Sequence, residues 1–365
     1  MKKKFNVFTF FVEPSVYTLD LIKNVYEPLS IDYIFINEKA KIAKSDESFP
    51  IKTINQLSFG EKIRFLRKIA ASNRLIIFNG YNHWEFVFLF LLNILKNQRF
   101  YLAIESDTQA KEDLGWRKKI KRLFLKTIFA SRNVLGFSGG SFVHKQLFRQ
   151  YGMNEERIFL MPMMVNNEKF EYSKKKRKRS PFTFLYVGRI IPHKNVEMLI
   201  KSFIEAFGGS EDVELKIVGT GESFEGLHKK YSVNRNISFE GPKFGQDLVD
   251  AYHTSNVLVI PSLYEPWGLV VNEALSAGLP VLASNRVGAV YDLIENRDTG
   301  FIFDPEKPEE LKMLMQKMFE DEDLYEKHSS NAAKLMKEYW NYGLYRKNLE
   351  EAVKYVERQI SGEKK

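Results

Sequence analysis

The chain has 365 residues, enough for two domains of ordinary size, each with its own core. Its 44% hydrophobic and 28% charged residues suit a soluble globular protein, and the absence of cysteine excludes disulfides, thiolate metal sites and thiol nucleophiles. A net charge of +9 favours phosphorylated substrates, anionic membrane surfaces or nucleic acid, but no nucleic-acid module is recognisable and none is expected as a partner. Met1-Lys-Lys-Lys-Phe5 opens like a signal-peptide n-region. Asn6, Glu13 and Pro14 interrupt the apolar run that would follow, so the segment reads as a first strand.

In chain order, strand candidates lie at 6–12, 32–36, 75–78, 100–104 and 134–137, with helical runs such as 58–71 and 118–130 between them. The most apolar stretch, 84–95, is far short of the ~20 residues needed to span a bilayer and reads as a buried helix. The run 117–128 carries six basic residues in 117–126 and no acidic one, with Ile120, Leu123, Phe124, Thr127 and Ile128 at helical spacing. It fits a helix lying on an anionic membrane, or equally a core-packed helix with a solvated cationic face. The six-residue basic run 174–179 reads as an exposed linker, because like charges repel. Beyond it the alternation resumes, with strands at 182–187, 214–218, 237–240, 257–260, 281–283 and 301–303. Residues 309–360 read as nearly continuous helix with a break near Asn341-Tyr-Gly343. Strand–helix alternation at this spacing predicts parallel sheets and two Rossmann-like domains.

Three segments of the second half carry the chemistry. Gly188-Arg189 follows the strand 182–187, and Lys194 stands where the next helix opens. Glycine permits a tight turn beside a ligand, and Arg189 and Lys194 can both reach a phosphate there. Gly219, in Val218-Gly-Thr-Gly221, ends another strand in a small-residue turn. Glu265-Pro-Trp-Gly-Leu-Val-Val-Asn-Glu273 puts one carboxylate on the loop after strand 257–260 and the second about a turn into the following helix. That edge of an open α/β sheet is where ligands bind. A carboxylate can accept hydrogen bonds from two neighbouring hydroxyls, and the helix start suits a phosphate.

The segment 265–273 resembles the E-x7-E signature of retaining glycosyltransferases of family four, which have the GT-B fold; Gly188-Arg189…Lys194 is similar to the family's diphosphate clamp. The resemblance spans nearly the whole chain, with its specific motifs between Gly188 and Gly300. It implies an α/β architecture of two Rossmann-like domains with parallel sheets facing across a cleft, the last helix crossing back to the first domain. The expected division is 1–170 with 344–365 for the acceptor, a linker at 171–180, and 181–343 for the nucleotide sugar. It implies a metal-independent hexosyltransferase without cofactor, in which Arg189 and Lys194 offset the leaving diphosphate, Glu273 binds the ribose and Glu265 sits by the transferred sugar. Gly188, Gly219, Lys243, Phe244, Trp267, Gly268 and Leu269 complete the donor side. Trp267 stands where phenylalanine is commoner, so an aromatic is retained.

The first half departs from the family. The loop Val12-Glu-Pro-Ser15 lacks the usual glycine pair, and Glu105-Ser-Asp107 stands where a His-Asp pair is common, as in a subset of bacterial envelope-polysaccharide transferases. Glu105 is therefore the catalytic substitute to consider, with Ser15, His83, Asp107 and His144 as acceptor-side candidates. The expected partners are a nucleoside-diphosphate sugar, a glycan or lipid-linked acceptor, and an anionic membrane surface through 117–128. The expected location is cytoplasmic, at the inner membrane face. The acidic Asp321-Glu-Asp323 reads as a solvated helix face, and no set of side chains has metal-ligand spacing. Two rival functions remain: a sugar-nucleotide 2-epimerase on a similar scaffold, and a catalytically silent partner subunit.

Overall fold

The computed structural model describes residues 6–38, 52–95, 100–109, 116–171 and 180–362, with the backbone alone for 116–121. The chain divides into two compact units, 1–164 with 342–365, and 165–341. The boundary falls at 164/165, ahead of the basic run, because Asn167 and Phe170 belong to the second unit. Asn167 donates to the carbonyls of Met336 and Trp340, and the Phe170 carbonyl bonds the His253 ring. Residues 172–179, which include the predicted linker's basic run, lie outside the described residues.

The first unit's strands are β1 (Val7–Phe11), β2 (Asp32–Phe35), β3 (Leu75–Asn79), β4 (Tyr101–Ser106), β5 (Val134–Ser138) and β6 (Ile158–Leu160). They pair all parallel in the order β2-β1-β3-β4-β5-β6. Parallel neighbours need crossover helices, so both faces are covered and the strands are apolar throughout: Phe10 and Phe78, partners in register, stack at 4.4 Å. The helices are α1 (Val16–Leu21), α2 (Glu27–Leu29), α3 (Phe59–Ser72), α4 (Trp84–Leu95), α5 (Trp116–Ala130) and α6 (Lys145–Gln150). Right-handed crossovers put α3 to α6 on one face of the sheet. There Leu66, Phe86, Leu89, Ile128, Phe129 and Phe148 share one core with Phe8, Ile76 and Ile104.

The second unit repeats the plan. Its strands are β7 (Phe182–Val187), β8 (Val213–Val218), β9 (Ile237–Gly241), β10 (Val257–Ile260), β11 (Val281–Ser284) and β12 (Gly300–Phe303), in the parallel order β12-β11-β10-β7-β8-β9. Its helices are α7 (Asn167–Phe170), α8 (Val196–Phe207), α9 (Phe224–Tyr231), α10 (Gly245–His253), α11 (Leu269–Ser276), α12 (Val290–Leu293), α13 (Pro308–Glu320) and α14 (Glu322–Glu338). Asp321 ends α13 and caps α14, its carboxylate accepting from the Leu324 amide at 2.9 Å, so the acidic triplet is a helix start. The final helix, α15 (Tyr342–Ser361), belongs to the first unit. It buries Tyr345, Leu349, Ala352, Val353 and Val356, a stripe at helical spacing, and Tyr355 packs edge-on to Phe159 of β6.

Candidate active site

In the second sheet the strand order reverses between β10 and β7, which lie side by side with Leu258 opposite Leu185. A ligand site is expected outside the carboxyl ends of strands at such a reversal. The loops carrying the predicted donor residues are the two that leave these strands.

After β7 the chain turns through Gly188, makes a short 3-10 turn at Pro192–Lys194, and enters α8 through Asn195 in the left-handed region at φ 58°. The loop after β8 lies flat against it. The Ile190 amide bonds the Thr220 carbonyl at 2.9 Å, and the Ser223 amide bonds the Ile190 carbonyl at 3.0 Å. A Cβ on Gly219 would stand 1.8 Å from the Gly188 carbonyl oxygen, so only glycine allows this approach, and its φ of 140° favours glycine too. After β10, Glu265 is fastened by backbone pairing with the 286–288 segment, at 3.1 Å in each direction. Gly268, at φ 95°, then starts α11, whose N-terminus has no side-chain cap.

These loops bring Lys194 and Glu265 into direct contact, the ammonium against Oε2. Their side chains are 13% and 18% exposed, so the pair is largely sheltered yet reachable. Arg189 is exposed at the same turn. The Tyr186 hydroxyl beneath it donates to the Arg189 carbonyl at 2.7 Å. Burial holds that phenol well above its ordinary range; the Glu265 carboxylate adds to the effect and Arg189 opposes it, so both charges act on one point. Glu273 lies in α11, 1% exposed, and accepts from the Tyr252 hydroxyl at 2.5 Å. Phe244 stands 70% exposed at the start of α10, and Lys243 beside it pairs with Glu240 at 3.0 Å. Leu269 is half-buried at the first position of α11.

Trp267 is placed otherwise than a donor-lining side chain would be. It is 1% exposed, donates to Asn272 Oδ1 at 2.7 Å and stacks on Trp340 at 5.5 Å. An indole this large is most stable inside, so it anchors the turn that carries Glu265 and Gly268.

In the first unit the reversal falls between β1 and β3. Glu105, near the end of β4, accepts from Asn79 of β3 and from the Tyr345 hydroxyl of α15 at 3.0 Å. The Tyr26 hydroxyl lies 3.3 Å from that of Tyr345. Burial pushes the Glu105 carboxyl up to about 7, the Tyr345 and Asn79 hydrogen bonds opposing it and Asp107 adding to it. Ser15 caps α1, accepting from the Thr18 amide at 3.3 Å. His83 is half-buried before α4, and desolvation lowers its pKa. Asp107 packs on Gly139, where a Cβ would meet its own at 3.2 Å. His144 is fully buried, so its ring is part of the interior and not of the ligand-facing edge.

Sequence reasoning did not single out Tyr186, Tyr252, Tyr26 or Tyr345. Each is a buried phenol; the hydroxyls of Tyr252, Tyr26 and Tyr345 meet partners from other elements and that of Tyr186 a carbonyl three residues on, and nothing in the sequence distinguishes them from ordinary core rings.

Residues 168–335 match the family model described as glycosyl transferases group 1. An uncharacterized glycosyltransferase of Methanocaldococcus jannaschii is 31% identical over 166 residues, 41% of this chain and 42% of that protein. The capsular polysaccharide biosynthesis glycosyltransferase CapM of Staphylococcus aureus is 29% identical over 172 residues, 47% of this chain and 45% of that protein. The matches thus span less than half the length of these curated relatives. Among solved structures, HepE of Anabaena in complex with UDP superposes with a TM-score of 0.73 at 16% identity, covering 97% of this chain and 100% of that one. Sucrose-phosphate synthase of Thermosynechococcus elongatus gives 0.67 at 17% identity, covering 98% and 99%. The two parallel α/β units are those of the GT-B fold. Residues 168–335 are thus similar in sequence to the glycosyl transferases group 1 family, and both units share the GT-B fold.

Proposed function

We propose that the protein is a retaining glycosyltransferase that moves a sugar from a nucleoside-diphosphate sugar to a glycan or lipid-linked acceptor in cell-envelope polysaccharide synthesis. The observation that carries the reading is the contact of Lys194 with Glu265 at the strand reversal, beside an uncapped helix start and the exposed Arg189. Without donor, the carboxylate neutralises the lysine. A diphosphate would take the lysine over, and Glu265 would be released to the hydroxyls of the sugar. Arg189 and Lys194 then offset the charge that grows as the diphosphate leaves. We favour attack from the face the diphosphate leaves, with no protein nucleophile. Glu105, with a carboxyl poised near 7, suits a proton acceptor for the incoming hydroxyl, and Ser15, His83 and Asp107 are its neighbours by strand end.

We read the reaction as metal-independent, because Arg189 and Lys194 could do a metal's work at the diphosphate. Among the described residues, no three His, Asp or Glu side chains gather as a metal set. The place of work is the cytoplasmic face of a membrane. Among the described residues no helix is long and apolar enough to cross a bilayer. Of the basic run 117–128, the side chains of 117–121 lie outside the described residues; Leu125 and Ile128 pack into the core, while Arg122, Leu123, Phe124 and Lys126 are exposed.

Incubating the purified protein with a panel of nucleoside-diphosphate sugars, with and without glycan or lipid-linked acceptor, tests the reading. Nucleotide release that the acceptor stimulates is expected for one donor. Sugar-nucleotide interconversion without acceptor would make it an epimerase, and no turnover of any donor would make it a silent subunit.

A further inference from the structure

Helix α4 is apolar on every side, yet only one side of it is covered. Phe86, Leu89, Phe90 and Asn93 face the core. At 100° per residue, Trp84, Leu91 and Leu95 form a stripe on the opposite side, with Phe88 between them only partly buried against the core. Leu91 is 54% exposed and Leu95 82%. A globular helix normally carries polar residues there, and one apolar all round is normally enclosed by protein or by lipid. Phe59 at the start of α3 extends the stripe, 72% exposed and 5.9 Å from the Trp84 ring. Of the large apolar side chains exposed among the described residues, half belong to α3, α4 and α5: Phe59, Trp84, Leu91, Ile94, Leu95, Leu123 and Phe124.

The flanks are cationic. On α3, Arg64, Arg67 and Lys68 are exposed; on α5, Arg122 and Lys126 are exposed. The acidic residues of the three helices are two against these five exposed cations, and only Glu61, which acts on Arg64, lies at the surface. Glu61 is engaged by Ser58 in a capping box, and Glu85 is 2% exposed inside the core.

We propose that the outer face of α3, α4 and α5 is a docking surface for an anionic lipid bilayer, with the α4 stripe entering the acyl boundary and the arginines and lysines of α3 and α5 meeting the headgroups. A bilayer offers both chemistries at the right depth: apolar chains for the stripe, anionic phosphates beside it. A second copy of the chain fits less well, since pairing this face with itself sets like charges opposite one another. The inference deepens the membrane part of the proposed function. It stands apart from glycosyl transfer, because its residues belong to the other unit from the donor motifs.

The test is flotation of the full chain with vesicles of phosphatidylcholine, alone or mixed with phosphatidylglycerol, while following tryptophan emission. Trp267 and Trp340 are buried and report little. Binding to the mixed vesicles at low salt is expected, with a blue shift that Trp84→Phe removes in a Trp116→Phe background. Leu91→Ser with Leu95→Ser should weaken binding about tenfold or more, as each change strips inserted apolar area. Arg64→Gln, Arg67→Gln, Arg122→Gln and Lys126→Gln together should abolish the preference for phosphatidylglycerol. Nucleotide affinity measured without vesicles should be unchanged in all of them, which separates this outcome from failure of the donor site. No flotation of the parent at low salt, or equal flotation of the leucine variant, overturns the proposal. A concentration-dependent dimer that the leucine variant abolishes would assign the stripe to a second copy instead.

Discussion

Lys194 and Glu265 neutralise each other in a sheltered corner where an isolated charge of either sign would be costly. On the proposed reading the pair is stable and still exchangeable, because a diphosphate would offer the lysine a stronger partner than one carboxylate. Arg189 has the opposite character: it is exposed, and only its carbonyl is fastened, by Tyr186. It is therefore free to follow charge as charge moves. Arg189→Ala should lower kcat at saturating donor by about 10²-fold or more, as loss of one oxyanion-stabilising donor does. Steady-state kinetics would show it, and a change confined to KM would mean uniform binding instead. Glu105 makes a different prediction. Its carboxyl is raised from 4.5 to about 7 in the folded chain, so the folded state holds a proton that the unfolded state has released. The stability it contributes is complete below pH 4.5 and is lost as pH rises through about 7. Thermal midpoints measured across that window should fall with pH in the parent, and Glu105→Gln should flatten that part of the slope.

At the scale of elements, the donor loops are positioned by close backbone approach as much as by side chains. Gly219 stands against the Gly188 carbonyl with no room for a methyl group. Gly219→Ala should destabilise the second unit by roughly 2 kcal/mol or more and weaken nucleotide affinity, read by thermal unfolding and titration calorimetry. Most of this architecture was legible in the chain itself. Buried parallel strands such as 182–187 and 257–260 are continuous apolar runs, and the structure begins and ends them at the same residues. The short edge strand β6, with three residues, carries too little pattern to detect. The long C-terminal helical run breaks where expected near Asn341, and also at Asp321, whose capping role outweighs its place in an acidic run. Helix α4 reads as buried because hydrophobicity reports what a surface prefers, and not what covers it. Lys194 and Glu265 could be named from motif spacing; their contact depends on which strands become neighbours.

For the whole molecule, the division of labour follows from two sheets with two reversals. The second unit carries cations, paired carboxylates and an open helix start; the first carries a carboxyl poised near neutrality and an apolar, cation-flanked outer layer. If Arg189 and Lys194 together serve where other transferases use a metal, turnover should survive a strong chelator. Loss of activity in EDTA that manganese or magnesium restores would refute that. The most direct test of the central claim is calorimetric titration of the intact chain with a series of nucleoside diphosphates, repeated for Lys194→Ala and Glu273→Gln. Glutamine is the cleaner change at 273, since it still offers the Tyr252 hydroxyl an acceptor. One base should bind saturably, and each variant should lose about 1–3 kcal/mol of that binding. Absence of binding to every nucleoside diphosphate, or equal affinity in parent and both variants, would contradict the account.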